Sequence, residues 1–488
     1  MTPLLGFLPD VDPNTPGALI DCANVIPYAA GMRGAPTAVA VQSVPALASA
    51  CRNAAVATLL SGARRVIAGT ATNLYEVSAG SWLNVSRSAA PALQAAYALG
   101  TDDRWDILQF GNATLASNKA TQIQRSNSSG QFTNITTAPK AKIIESASGF
   151  VIAFNTDDGG AYGDRPDSWW CSALNDETNW APALATQCAT GRLVSSPGEI
   201  TAAKSFGDQV VVYKDRAIYL ARYIGSPAVW QFDQVPGDIG CVGPDAVTDI
   251  GPAQIFVGRG DIFYFDGTRP ISIAEGQVRQ WFYTNASQQY LYKTTLIHDK
   301  QANLVWIYYP SVGSTGGLDS ALVYHLGRRQ WGQMTINIES ACNYVSAGLT
   351  FDTLPGTFDT LPDVGFDSQY WLSGGRLTTV VTTAHQLSSL TGVSGATSMT
   401  VFDVGDDAAV SRLKRVRVSY SLDPTSATIA GFNKMSRGAV TSTGAAGVYS
   451  AGKFDLQQTG RFHRVRVDAL GNWSASGIDF DLVPAGQR

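Results

Sequence analysis

Ile200 to Ser205, the turn Gly207-Asp208, Gln209-Val210-Val211-Val212-Tyr213, the turn Lys214-Asp215, then Ala217-Ile218-Tyr219-Leu220 and Trp230: this stretch decides the fold. Runs of β-branched and aromatic residues, each too short for a helix, are separated by two-residue polar turns. That is the writing of an antiparallel meander. The same theme spreads outward in both directions. Upstream lie Arg65-Val66-Ile67-Ala68-Gly69 with Asn73 to Val77 and Trp82, then Trp105 to Phe110 with Ala113 to Ala116 and Phe132. Lys142 to Glu145 follows, with Phe150 to Phe154, Ser168 to Ser172 and Trp180. Downstream come Ala246 to Asp249 with Gln254 to Val257 and Asp261 to Phe265, then Thr295 to His298 with Leu304 to Tyr309, Ala321 to His325 and Trp331. Second strands recur about every 40 to 60 residues, the length of one four-stranded blade with its turns. A single such sheet cannot bury both faces, so the sheets must cover one another around an axis. The reading is all-β, a six-bladed β-propeller over residues 46–348, with the recurrent Trp packed between blades.

Composition agrees. Of 488 residues 15% are charged and 45% hydrophobic, with 48 Gly, a balance that favours strands and turns over amphipathic surface helices. One weak helical run, Ala89 to Leu99, is the exception. The net charge of -4 removes any overall attraction to nucleic acid, so a DNA-gripping protein is disfavoured. A conduit that DNA slides through is compatible with such walls. Cys22, Cys51, Cys171, Cys188, Cys241 and Cys342 form no CxxC pair and have no His at ligand spacing, so neither zinc nor redox chemistry is visible, and reduced thiols are expected. The start, Met1 to Asp10, has no basic and apolar leader, and no apolar span approaches membrane length; no export by signal peptide and no membrane insertion are expected.

Residues 1–45 carry Pro3, Pro9, Pro13, Pro16, Pro27 and Pro36, which reads as an extended N-terminal arm without regular structure, lying over the body or a neighbour. A linker at 349–365 holds the direct repeat Thr350-Phe351-Asp352-Thr353-Leu354-Pro355 and Thr357-Phe358-Asp359-Thr360-Leu361-Pro362. Residues 366–488, with alternating strands at Leu377 to Thr383, Met399 to Asp403, Arg412 to Tyr420 and Arg461 to Asp468, form a C-terminal β-sandwich-like platform domain, the first of these strands adjoining the propeller.

No catalytic constellation emerges. His298, His325, His385 and His463 belong to no recognised motif, and no enzyme, cofactor or metal is expected. Gly258-Arg259-Gly260-Asp261 fails as a phosphate loop because Phe263 replaces the third glycine and a strand follows; it is a hairpin turn. Asp157-Asp158-Gly159-Gly160 and Asp403-Val404-Gly405-Asp406-Asp407 lack the spacing of a 12-residue calcium loop and read as exposed turns. Strand alternation puts Arg415 and Arg417 on one face, and Arg464 and Arg466 on one face of a second strand. If the two strands pair they make a basic stripe, either a solvated face or a contact to protein or DNA.

Pro16-Gly17-Ala18-Leu19 with Asn24-Val25-Ile26-Pro27 and Gly31 resembles the start of podophage tail nozzle proteins, also called tail tubular protein B or tail stabilisation protein. Arg165-Pro166-Asp167-Ser168-Trp169-Trp170 with Asp176 and Trp180, the doubled Phe-Asp-Thr-Leu-Pro, and Gly471-Asn472-Trp473-Ser474 with Gly477-Ile478-Asp479 are similar to the same family. The resemblance implies a hexameric ring in the virion tail, assembled in the host cytoplasm below an adaptor ring and portal. Such a ring docks tail fibres or spikes and passes double-stranded DNA, with no active site. The alternatives are a receptor- or carbohydrate-binding propeller, with Trp169, Trp170 and Tyr308 stacking on sugars, and a propeller glycosidase with convergent carboxylates.

Overall fold

The computed structural model describes residues 1–41, 44–78, 80–87, 97–345, 376–439 and 441–486. Strands dominate; among the described residues the helical elements are the short α-helix Arg279–Asn285 and the 3-10 turn Leu291–Lys293. The Ala-rich run at 89–99 lies mostly outside the described residues, and the doubled Phe-Asp-Thr-Leu-Pro linker lies wholly outside them.

The meanders read from the sequence are present as four-stranded antiparallel sheets. The first is Cys51–Thr58, Arg64–Thr70, Leu74–Ser78 and Ser81–Asn84. The second and third, at 106–134 and 140–192, touch through a single bridge between Gln122 and Lys140. The fourth and fifth, at 200–235 and 247–272, stand alone. Thr295–Asp299, Leu304–Tyr309 and Leu318–His325 make the sixth with the first half of Gln330–Val345. The innermost strand of each sheet lies beside the innermost strand of the next.

The expected count of six is corrected here. Gln330–Val345 is 16 residues long and changes partner at Ile338. Its second half pairs with Arg376–Thr382, which pairs with Leu387–Gly392, which pairs with Thr37–Ala40. This is a seventh four-stranded sheet, and its inner strand lies against both Cys51–Thr58 and Thr295–Asp299, so the succession closes on itself. The strand expected to begin a separate C-terminal domain belongs to this sheet instead. The physical reason is burial: the seventh sheet packs Cys342, Val381 and Leu387 against Cys51, Ala54 and Val66 of the first.

Five of the seven junctions between sheets hold separate apolar clusters, while those flanking the fifth sheet share one cluster with the platform. Trp105 is buried between the first and second, its Nε1 donating to the Thr70 carbonyl at 2.8 Å. A Cβ on Gly69 would sit 2.1 Å from the Trp105 ring, so glycine is what makes room for the indole. Trp169, Trp170, Trp180 and Tyr308 are buried likewise, as packing residues.

The N-terminal segment is not devoid of regular structure, as its prolines suggested. Thr2–Pro3, Gly6–Phe7, Ala18–Ala23, Val25–Tyr28, Gly31–Gly34 and Thr37–Ala40 are strands, and most prolines sit at their ends or in turns, where no ladder donor is lost. Beyond the ring, Val410–Leu422 pairs with Lys453–Gly460 and Ser474–Gly486, while Phe462–Leu470 pairs with Thr397–Val401 and Ser426–Lys434. Leu413, Val416, Ile429, Val465 and Val467 share one apolar cluster between them. Gly31–Gly34 bridges the two regions: it pairs with Val25–Tyr28, which touches Gln333 of the sixth sheet, and with Ser474–Ala475 at the far side.

Candidate functional site

All seven innermost strands contribute to one cavity of about 830 Å³ on the ring axis. Strand alternation supplies its lining: each inner strand sends apolar side chains into the neighbouring sheets and isolated charged ones toward the axis. Asp106 comes from the second sheet, Glu145 from the third, Lys204 from the fourth and His298 from the sixth. Seven Lys or Arg and eight Asp or Glu line the space.

Most of these charges are paired. Lys204 Nζ lies 2.6 Å from Glu145 Oε1, and the Ser205 N–H donates to Glu145 Oε2 at 3.3 Å. Lys142 lies 3.6 Å from Glu199. Asp106 Oδ2 accepts the Ile144 N–H at 2.7 Å. Burial, then the charge of Glu145, pushes the Asp106 carboxyl up to about 7, with Lys204 opposing. Glu145 in turn holds Lys204 above the ordinary lysine range. One mouth is crossed by residues 101–104: Arg104 Nε reaches Asp245 at 3.1 Å, Asp102 meets Lys293 at 2.9 Å, and Arg52 donates to the Thr101 carbonyl.

Two groups are left over. Arg104 Nη2 and both ring nitrogens of His298 are buried without a hydrogen-bond partner. His298 is 8% exposed, and burial holds its pKa below the ordinary value, so the imidazole is neutral at pH 7. The Asp249 backbone lies beside the ring and works against the effect of burial.

The basic strands fare differently. Val410–Leu422 and Phe462–Leu470 do not pair with each other, so the stripe is not formed. Arg415 meets Asp455 at 2.8 Å, Arg466 meets Asp468 at 2.9 Å, and Arg417 is exposed opposite Asp479 in register. Arg464 is bidentate on buried Asp403 at 2.7 and 3.0 Å, with Lys434 3.1 Å from the same carboxylate. The Asp403 turn is thus an ion-pair anchor. Asp158 accepts the N–H groups of Gly160, Tyr162 and Gly163 in its own hairpin. Gly258 to Asp261 is a hairpin turn, closed by the Gly258 N–H on the Asp261 carbonyl at 2.9 Å.

The four histidines stay apart. His325 accepts the Arg328 N–H, His385 lies 2.8 Å from Glu339, and fully buried His463 contacts Ser411 and Gln458. All six cysteines are buried and unpaired. Among the described residues no group of three or more His, Cys, Asp or Glu is arranged to hold a metal. Trp169, Trp170 and Tyr308, the aromatic residues offered for sugar stacking, are inside the sheets. The sequence analysis assigned no role to Asp106, Glu145 and Lys204, whose signal is a charge set among apolar residues in the first strand of a meander, as in Lys142-Ile143-Ile144-Glu145.

No family model matches the chain, and no curated protein matches it. Among solved structures, BamB from Moraxella catarrhalis aligns at 9% identity over 76% of this chain and 96% of its own, with a TM-score of 0.38. The Pan2 WD40 domain of Neurospora crassa aligns at 7% identity over 70% and 89%, also at 0.38. The computationally designed Ika8 protein aligns at 10% identity over 71% and 97%, at 0.34. Likeness at this level says nothing about what the chain does.

Proposed function

We propose that this chain is a non-catalytic structural subunit of a short bacteriophage tail, a nozzle component. It is built as a seven-bladed β-propeller joined to a β-sandwich-like platform, and it assembles with further copies into a ring around a DNA passage. The observation that carries the reading is where the resembling stretches meet. Gly31–Gly34 from the N-terminal stretch pairs with Ser474 and Ala475 from the C-terminal one. A Cβ on Gly31 would lie 2.1 Å from the Ala475 carbonyl oxygen, and Asn24 Oδ1 accepts the Thr335 N–H of the sixth sheet at 2.9 Å. Residues similar to one family thus converge on a single joint that makes ring and platform one continuous sheet. Continuous strand pairing across the joint suits a part that must hold shape while a polymer passes. Arg415 and Arg466 at the platform are paired with Asp455 and Asp468, in keeping with passage and not grip.

Mass photometry and negative-stain imaging of the purified chain, alone and with its adaptor ring, test the proposal. A six-fold ring with an open channel is expected, together with no salt-sensitive binding of duplex DNA. A chain that stays monomeric in both settings, or that holds DNA tightly, defeats it.

A second reading, a receptor- or carbohydrate-binding propeller, is favoured by one observation, the axial cavity lined by all seven inner strands. It needs no exposed tryptophan.

A further inference from the structure

We infer that the platform strand Ser442–Ser450 is the contact surface for a second copy of this chain, the open edges of two such strands pairing antiparallel about a two-fold axis. This goes beyond the proposed function and does not rest on it, since a two-fold contact joins chains, or whole rings, in pairs and does not itself close a ring.

The strand is served on one side only. From Ser442 to Val448 it pairs with Ser426–Lys434, whereas on its other side Tyr449 and Ser450 alone find partners, in Phe454 and Lys453. Among the described residues no ladder reaches Ser442 to Gly447 on that side. Lys453–Gly460 packs against the face of the strand there and not beside it. A Cβ on Gly447 would sit 2.7 Å from the Asp455 carbonyl oxygen and one on Gly444 2.1 Å from Gln458 Oε1, and Cβ atoms point out of a sheet. Ser442, Thr443, Ala446 and Val448 are exposed, Val448 at 69%. Alternate N–H and C=O groups along this edge are therefore open to a further strand.

Open edges are ordinarily guarded by shortness, charge or proline. In the ring, Ser81–Asn84, Thr133–Asn134, Thr190–Arg192 and Pro270–Ser272 have four residues or fewer, and Val229–Val235 carries Asp233. The platform edge beyond Ile478 carries Asp479, Asp481 and Pro484. Ser442–Ser450 has nine residues, and from Gly438 to Gly452 the chain holds no Asp, Glu, Lys, Arg or Pro. What fits such an edge is an extended strand that brings neither charge nor bulk. A second copy supplies one: the same edge, equal in length, turned by the two-fold axis so that the two run antiparallel. A charged partner gains nothing at this surface, whereas two chains of net charge -4 approach most easily where neither bears charge.

Sedimentation velocity of the full chain over a range of concentrations, with hydrogen exchange at the lowest and the highest, tests the inference. Concentration-dependent doubling of mass is expected, with the amides of Ser442 to Gly447 exchanging more slowly as the pairs form. Ala446→Lys adds like charges on both sides of the contact and should weaken pairing about tenfold or more, whereas Ser81→Lys, the same charge on a guarded edge of the ring, should leave it unchanged. Exchange is measured on the unaltered chain and decides the matter if Ala446→Lys does not fold. A chain that shows no doubling, pairs that Ala446→Lys leaves at full strength, or pairs in which this strand's exchange does not slow overturn the inference. Protection of the strand that appears only with the adaptor ring gives the edge to another protein and also overturns it. If six-fold rings form without any doubling, this contact falls and the tail reading stands.

Discussion

The first six sheets and the seventh close the same ring by different means. The six are each laid down by contiguous chain, so their registers are set by short turns and their junctions by neighbours in sequence. The seventh is gathered from Thr37–Ala40, the second half of Gln330–Val345, and the pair Arg376–Thr382 and Leu387–Gly392. The difference teaches that a repeat visible in sequence ends before the repeat in space does. Local pattern specifies a blade, while closure depends on contacts that no local pattern announces.

The largest effect should come from removing residues 1–41. That takes away the outer strand of the seventh sheet and the Val25–Tyr28 and Gly31–Gly34 bridge, and the remainder should lack a cooperative thermal transition by circular dichroism. A near-normal melt of the truncated chain would break the comparison outright.

A paired glycine test sharpens it. Gly69→Val drives a side chain into buried Trp105 and should cost about 3 kcal/mol in urea denaturation. Gly392→Val in the closing sheet first meets the side chain of exposed Thr37, at 2.3 Å, which can turn away, and should cost about 1 kcal/mol. Equal losses would mean that the two kinds of junction are equally rigid.

Within the ring, Lys204→Met strands Glu145, which is only 3% exposed, and should cost about 2 kcal/mol; Arg415→Ala outside the ring removes a solvent-screened surface pair and should cost far less. Chemical denaturation of both variants at one salt concentration gives the ratio.

A different kind of effect concerns pH. The Asp106 carboxyl is raised in the fold from an ordinary value near 3.8 to about 7, so the stability it contributes is complete below 3.8 and is lost as pH rises through 7. Asp106→Asn should therefore gain in melting temperature relative to the parent at pH 8 and show little gain at pH 4. A pH-independent difference would remove the carboxyl from the account.

Much of the ring was legible beforehand because its signals are local. Gln209 to Tyr213 followed by a Lys214-Asp215 turn can hardly be anything but a strand and a hairpin, and Trp105 and Trp331 mark buried packing wherever they fall. The seventh sheet was not legible. Its inner strand runs on from the sixth without a turn, and its outer strand lies in a proline-rich segment, where strands of two to six residues escape any periodicity. The axial site was hidden for a related reason. Asp106, Glu145, Lys204 and His298 become neighbours of one space only once the ring is closed. The basic strands misled because alternation tells which face a side chain takes and not which strand lies beside it.

The strand Thr37–Ala40 meets its partner some 350 positions later, the separation between Val39 and Ser389. During synthesis it must therefore wait, unpaired, until Leu387–Gly392 has left the ribosome. A polypeptide that stops short of Leu387–Gly392 would keep an open seam with two bare strand edges, the kind of surface that aggregates and attracts proteolysis. Closing with the earliest-made strand thus acts as a length check: only copies that extend through Gly392 can seal, and only sealed copies would be available for whatever the ring joins.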